Sequence, residues 1–339
     1  MTKKIAIGLI GCGFFAQNHL NAWKDLAPEG ADLVAVCDVD PAKAKAAGEK
    51  FGARAYTDAA EMLAREQLGL VDITTGQSTH LPMVELALGH RIPTVVQKPF
   101  GQDMAEVRRM VELSRSTGTF LAVHENFRFQ LPQLKMRELI TSGAIGTPTW
   151  ARISFRTGYD IYAGQPYLAK QARFILIDVG VHVLDVARFH MGEVTHMTAE
   201  LQHRNPNAVG EDTATMLLRH ASGAVSVVEC TYGSRRIPDS FPETLVEIEG
   251  DKGAIISHID SRIQLTSNGA MEEIDADPPV VPWGGRPWHV AQDSVLRTNR
   301  EMLQAVQQGR PAATSAEDNY RTFALVEAAY LEGRVRPEA

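Results

Sequence analysis

Ile5-Ala6-Ile7-Gly8-Leu9-Ile10 runs without a break into Gly11-Cys12-Gly13-Phe14-Phe15-Ala16. The first six residues are an apolar run of strand length that ends in glycine. Such a run predicts a buried, central parallel strand. The next six fit G-x-G-x-x-A. Gly11 permits the tight turn, Gly13 lets the backbone approach a dinucleotide pyrophosphate, and Ala16 lets helix and strand pack closely. The helix opening there offers N–H groups and a positive dipole end to the same phosphates. Phe14 and Phe15 fill the variable positions and join Gly11 and Gly13 as candidate cofactor contacts. The plain alternative is a structural glycine turn, but the motif follows a strand and opens a helix, which is the context it requires.

Working outward, strand and helix signals alternate through residue 125. Strands are expected at 32–38, 54–56, 70–74, 94–97 and 120–123. Helices are expected at 18–26, 41–51, 58–66, 80–89 and 104–118, with Pro41 in a first turn and Asp58 as an N-cap. This order predicts α/β architecture: an N-terminal Rossmann domain, a doubly wound parallel sheet with helices on both faces. After residue 126 the pattern changes. Helices are expected over 132–142 and within 174–191. Alternating segments at 149–156, 195–203, 212–219, 224–232 and 244–250 read as strands, with turns at Asp251-Lys252-Gly253 and Ser267-Asn268-Gly269. Helices at 292–308 and 316–331 close the chain. The expected organisation is an NAD-binding domain over 1–125. A C-terminal α+β substrate-binding and oligomerisation domain over 126–339 follows, built on a large, mostly antiparallel, open-faced sheet. The helices within 292–333 are expected to pack back on the first domain. An open face needs a cover, so a homodimer or homotetramer through that sheet is expected.

Composition narrows the function classes. The 339 residues are 44% apolar and 22% charged, ordinary for a globular protein, and long enough for two domains. A net charge of −7 without a dense Lys/Arg stretch argues against nucleic acid as a partner. No apolar run approaches the roughly eighteen residues of a membrane span, and the short N-terminal run reads as a strand rather than a signal peptide. Cys12, Cys37 and Cys230 are scattered, which suits a reducing cytoplasm better than a disulfide framework. The histidines form no metal-binding cluster, so no metal is expected.

Asp38 ends the second strand about twenty residues past the glycine turn, where a carboxylate can accept hydrogen bonds from the adenosine ribose and repel a 2′-phosphate. This favours NAD over NADP, although an ordinary turn aspartate would look the same. Lys98, in Gln97-Lys98-Pro99, follows a strand on the side where ligands of open α/β sheets lie, and its ammonium could stabilise negative charge on a substrate oxygen. Asp178 and His182 are four residues apart and share a helix face. They could equally be a helix cap and a satisfied histidine. Asp185 continues that face as packing or salt-bridge material. His19, His90, His190, His196, His203, His220 and His258 have no partner motif and read as structural or exposed. Arg156, Tyr159 and Arg173 lie in a segment rich in hydrogen-bonding groups, which suits a polyhydroxylated small molecule. Trp283, Trp288 and His289 are a second candidate wall.

In this order the motifs resemble the glucose-fructose oxidoreductase / inositol dehydrogenase / rhizopine catabolism (Gfo/Idh/MocA) family. The resemblance rests on the glycine turn, on Thr75-Gly76-Gln77-Ser78-Thr79-His80 where the family shows T-P-N-x-x-H, and on Gln97-Lys98-Pro99 where it shows E-K-P. Asn126-Phe127-Arg128-Phe129, the D-x-x-x-H of Asp178 to His182, and the closing helix at 317–330 complete it. The resemblance implies that Lys98 hydrogen-bonds the reacting hydroxyl, that His182 is the general base, and that Asp178 orients the substrate. It places Thr75, Gln77, His80, Gln97 and Asn126 along the cofactor cleft, and a cis peptide before Pro99. Gln97 in place of glutamate removes a negative charge beside Lys98, which leaves open whether His182 or Lys98 takes the proton. The function it implies is an NAD-dependent sugar or polyol dehydrogenase. The expected substrate is an aldose oxidised at C1 to a lactone, a pentose such as D-apiose or D-xylose. The alternatives are an inositol-type dehydrogenase acting on a ring secondary alcohol and a non-catalytic NAD-binding regulator.

Overall fold

The computed structural model describes residues 3–332. By contacts the chain divides into two units. One holds the chain to Asn126 together with Val295–Phe323; the other holds Phe127–Ser294 and the chain from Ala324 onward.

In the first unit, strands β1 (Ile5–Ile10), β2 (Ala31–Cys37), β3 (Arg54–Tyr56), β4 (Leu70–Ile73), β5 (Thr94–Gln97) and β6 (Leu121–His124) form a parallel sheet ordered β3-β2-β1-β4-β5-β6. The order reverses between β1 and β4, and open α/β sheets bind ligands at such a switch point. Helices α1 (Ala16–Asp25), α2 (Pro41–Phe51), α3 (Ala59–Arg65), α4 (His80–Gly89) and α5 (Met104–Thr117) alternate with the strands. Three of them start on aspartate caps. Asp40 accepts from the Ala42 N–H at 2.9 Å, Asp58 from Ala60 at 2.7 Å and Asp103 from Ala105 at 2.8 Å. Each such cap satisfies donors that the first helical turn otherwise leaves unpaired. Ile5, Ile7, Leu9, Leu20, Trp23, Val36, Leu70 and Val95 fill the core. Burying one such side chain contributes about 1.5–3 kcal/mol.

The second unit carries α6 (Leu131–Thr141), β7 (Pro148–Arg156), a short α7 (Ile161–Gly164) and α8 (Val181–Met191). Strands β8 (Val194–Gln202), β9 (Thr213–His220), β10 (Val225–Thr231), β11 (Leu245–Gly250), β12 (Gly253–Ser257), β13 (Arg262–Ser267) and β14 (Ala270–Asp275) follow. With β7 they form one sheet ordered β14-β13-β12-β11-β7-β10-β9-β8, antiparallel except where β7 and β10 run parallel. Ile153, Phe155, Met216, Val228 and Ile248 point to one face and pack with Met136 of α6 and Val183 and Leu184 of α8. On the other face Thr198, Glu200, Thr215 and Leu217 are exposed. Two long helices, α9 (His289–Gln308) and α10 (Ala316–Glu332), end the described chain, and each contributes to both units.

Asp185 of α8 is fully buried and paired with the guanidinium of Arg128, whose Nε donates at 2.6 Å. Removing one partner of a buried pair strands the other charge. Arg128→Leu is therefore expected to destabilise the protein by about 3–5 kcal/mol, read as a lower urea midpoint at unchanged m-value. A midpoint near wild type would show that Asp185 is solvated or otherwise compensated.

Candidate active site

At the carboxyl end of β1 the chain turns at Gly11, where φ is +97° and an added Cβ would stand 2.9 Å from the Thr74 carbonyl. Only glycine fits both the angle and the space. The turn is held from three sides. The Gly11 N–H donates to the Cys37 carbonyl at 2.7 Å, the Thr74 hydroxyl donates to the Gly11 carbonyl at 2.7 Å, and the Cys12 N–H donates to Asp38 Oδ2 at 2.7 Å. Asp38 Oδ1 also accepts from the Asp40 N–H. The carboxylate thus ties the glycine turn to the end of β2, and its remaining lone pairs can accept ribose hydroxyls.

A Cβ on Gly13 would meet nothing within 4 Å, and among the described residues no side chain caps the first turn of α1. Open space beside uncapped N–H groups at a helix start suits a pyrophosphate. The residues present therefore fit a dinucleotide. Phe14 is 77% exposed beside this space, and Phe15 stands edge-on to His19.

The other cofactor candidates follow the three strands on one side of β1. Thr75, Gln77 and His80 follow β4, Gln97 and Lys98 end and follow β5, and Asn126 follows β6. The strands are parallel, so all of them lie at the carboxyl end of the sheet. Gln77 Nε2 donates to the Gly101 carbonyl at 2.7 Å and links the two loops. The His80 ring lies 2.9 Å from the Pro99 carbonyl and 3.2 Å from that of Thr75. Burial pulls the His80 imidazole below its usual range, so it serves as a neutral brace. The Lys98–Pro99 peptide is cis, as the resemblance implied.

In the second unit, Leu176–Gly180 forms one wide π-turn that leads directly into α8. Such turns recur at functional sites because they re-aim a side chain. Glu211 accepts the N–H groups of Phe174 and Leu176 at 3.1 and 3.2 Å and fixes the start of this turn. Asp178 accepts the Tyr232 hydroxyl at 2.9 Å. Burial, then the Asp178 carboxylate, pushes the Tyr232 phenol well above its usual range. Tyr232 therefore remains a donor to Asp178. His182 is buried and stacked on Phe127, ring centroids 3.8 Å apart and planes 3° from parallel. Tyr232 and Glu211 were missed in the sequence because neither lies in a local motif.

Not every candidate joins this group. Arg156 alternates with the inward-facing Phe155, so it lies on the sheet face away from α8. There it donates to Glu229 at 3.3 Å, beside Arg152. The structure thus places Arg156 in an ion pair on that face. Arg173 pairs with Glu327 and lies over the Tyr330 ring at 4.1 Å, which makes it a post for the Tyr330–Glu211 contact. Tyr159 stacks on Phe241 at 3.9 Å and meets Trp288 edge-on, forming an aromatic wall. His289 lies 2.8 Å from Asp277. Among the described residues no His/Cys/Asp/Glu group could hold a metal ion, and no helix is long and apolar enough to cross a membrane.

The first unit thus carries a glycine turn that fits a dinucleotide, with a carboxylate at the end of β2, and its fold is that of a Rossmann-type NAD-binding oxidoreductase. The comparisons agree. Residues 5–125 match the oxidoreductase family with an NAD-binding Rossmann fold, and residues 133–256 match the GFO/IDH/MocA C-terminal domain. The chain is similar to a D-apiose dehydrogenase of Paraburkholderia graminis, 44% identical across 98% of this chain and 88% of that one. A D-apiose dehydrogenase of Rhizobium rhizogenes is 44% identical across 95% of this chain and 93% of that one. The crystal structure of an oxidoreductase from Agrobacterium radiobacter, in complex with NAD+, L-tartaric acid and magnesium, superposes with a TM-score of 0.95. It is 43% identical and covers 97% of this chain and 96% of that one. This protein belongs to the Gfo/Idh/MocA family, and it is an NAD-dependent dehydrogenase.

Proposed function

We propose that this dehydrogenase oxidises a pentose, D-apiose, at C1 to the lactone. The observation that carries the reading is the 44% identity, over nearly the whole chain, to two D-apiose dehydrogenases. Bound NAD supplies the hydride acceptor. The segment to residue 125 together with Asn126 holds the cofactor, through Gly11, Gly13, Phe14, Phe15, Asp38, Thr75, Gln77, His80, Gln97, Lys98 and Asn126. The remainder binds the sugar and forms a homodimer or homotetramer through its open sheet face, in the cytoplasm. Three buried free thiols, Cys12, Cys37 and Cys230, support a reducing compartment.

Lys98 donates a hydrogen bond to the reacting hydroxyl and stabilises the alkoxide character that grows as C1 loses hydride. His182 takes the hydroxyl proton. Asp178, held by Tyr232, orients the sugar. Tyr159 with Phe241 and Trp288 offers a face to the sugar's C–H surface.

The test is NADH absorbance with purified protein and a panel of aldoses, inositols and sugar acids, with the product identified by NMR. Turnover with D-apiose and appearance of its lactone support the proposal. Turnover with myo-inositol alone moves the reading to a ring secondary alcohol. Binding of NAD with no turnover on any panel member moves it to the regulator.

Asp38 sets the cofactor preference in this reading. A hydrogen bond to a charged group contributes about 1.5–3 kcal/mol, so Asp38→Ala should narrow the NAD/NADP ratio of kcat/KM by about tenfold or more. An unchanged ratio refutes that role.

A further inference from the structure

Behind the Lys98 loop lies a polar chain in an otherwise apolar core. Asp72, on β4, is fully buried. Its Oδ2 accepts the Trp23 indole N–H at 2.7 Å and lies 2.8 Å from His19 Nδ1. His19 Nε2 lies 2.9 Å from Gln97 Nε2, and Gln97 Oε1 accepts the Lys98 backbone N–H at 2.7 Å. The His124 ring lies 4.1 Å from that of His19, and its Nε2 faces Asn299 Oδ1 at 2.9 Å. Burial pulls His124 down to about 3, so this neighbour is neutral.

The donors and acceptors along this chain are fixed from its ends. Burial opposes the charge on Asp72, yet the His19 ring and the Trp23 N–H that bond to it hold its carboxyl below the usual range. An ionised carboxylate only accepts, so His19 Nδ1 carries the proton. At the far end the Lys98 N–H requires the oxygen of Gln97, which turns the amide nitrogen toward His19. His19 Nε2 must then be the acceptor, and the hydrogen bonds define one arrangement of the ring. A glutamate at position 97 would instead set acceptor against acceptor unless His19 took up a proton. Asp72 Oδ1 has no partner among the described residues, a cost that an apolar residue at 72 would avoid.

We infer that His19 and Asp72 are positioning residues. The carboxylate fixes the imidazole tautomer, the imidazole orients the Gln97 amide, and the amide oxygen holds the backbone of Lys98. This rests on the reading that Lys98 acts on the substrate hydroxyl.

Two amide variants separate positioning from packing. In His19→Asn the amide reaches the Nδ1 position and can still meet Asp72, but the contact to Gln97 is lost. In His19→Gln the amide reaches the Nε2 position and can still accept from Gln97. The expected result is a fall in kcat of about tenfold or more for His19→Asn and for Gln97→Met, on the order of what misplacing a catalytic group costs, with little change in the NAD Kd of His19→Asn. His19→Gln should recover most of that loss. Equal loss in both His19 variants, or wild-type kcat in His19→Asn, overturns the inference. If His19→Asn does not fold, Gln97→Met decides, and wild-type kcat there overturns it. Lys98→Met is measured alongside. Near-wild-type activity in that variant would fault the reading of Lys98 itself. Its loss combined with an indifferent Gln97→Met faults only the positioning chain.

Discussion

Replacing Lys98 with methionine should lower kcat by about 10²–10³-fold while the NAD Kd moves by no more than a few-fold. The side chain stays unbranched and nearly as long, and loses its charge and its donors. If the ammonium matters mainly for the alkoxide-like oxygen, its loss is felt in the transition state and little in the ground state. Most of the cofactor affinity is carried elsewhere, by the glycine turn and by Asp38, whose carboxylate also holds the Cys12 N–H. Stopped-flow NADH formation and cofactor fluorescence separate the two effects. A proportional loss of NAD affinity with kcat intact would make Lys98 a cofactor anchor. Activity near wild type would remove it from the chemistry.

His182→Asn should lower kcat by about 10²–10⁴-fold, the usual contribution of a positioned proton acceptor. The amide still reaches the position of Nδ1 but cannot take a proton. A base that must be neutral gives the rate an acid limb, present in the wild type and absent in the variant. The plain alternative for His182 is a packed histidine, and the structure gives it a packing partner in Phe127. The pH profile decides between them. A packing role predicts lower stability with the acid limb intact, and that outcome would assign the proton to another group, Lys98 first.

Much of the fold was legible because buried parallel strands read as unbroken apolar runs. Leu70–Ile73 and Thr94–Gln97 are buried at every position. Asp58 fulfils its expected capping role. The far edge of the second sheet was not legible. Only turns were expected around β12, β13 and β14, and Ala270–Asp275 has almost every residue exposed, so it shows no two-residue alternation. Nor could the parallel pairing of β7 with β10 be read, since their residues lie far apart in the chain.

The site divides the same way. The glycine turn, Asp38, Lys98 and the Asp178–His182 pair are local patterns and stand out as candidates in the sequence. Tyr232 meets Asp178 across 54 positions, and His19 meets Asp72 across 53 and Gln97 across 78. A lone histidine without a nearby partner looks structural until the strands bring its partners together. Arg156 shows the converse. Its polarity suggested a pocket, but the strand's alternation turns it to the Glu229 face.

The most direct test of the central claim uses D-apiose carrying deuterium at C1 and unlabelled NAD. The account predicts slower turnover, deuterium in the nicotinamide ring of the NADH formed, and unlabelled lactone. NADH formed without deuterium, with the label still on the sugar, would place oxidation at another carbon and contradict it.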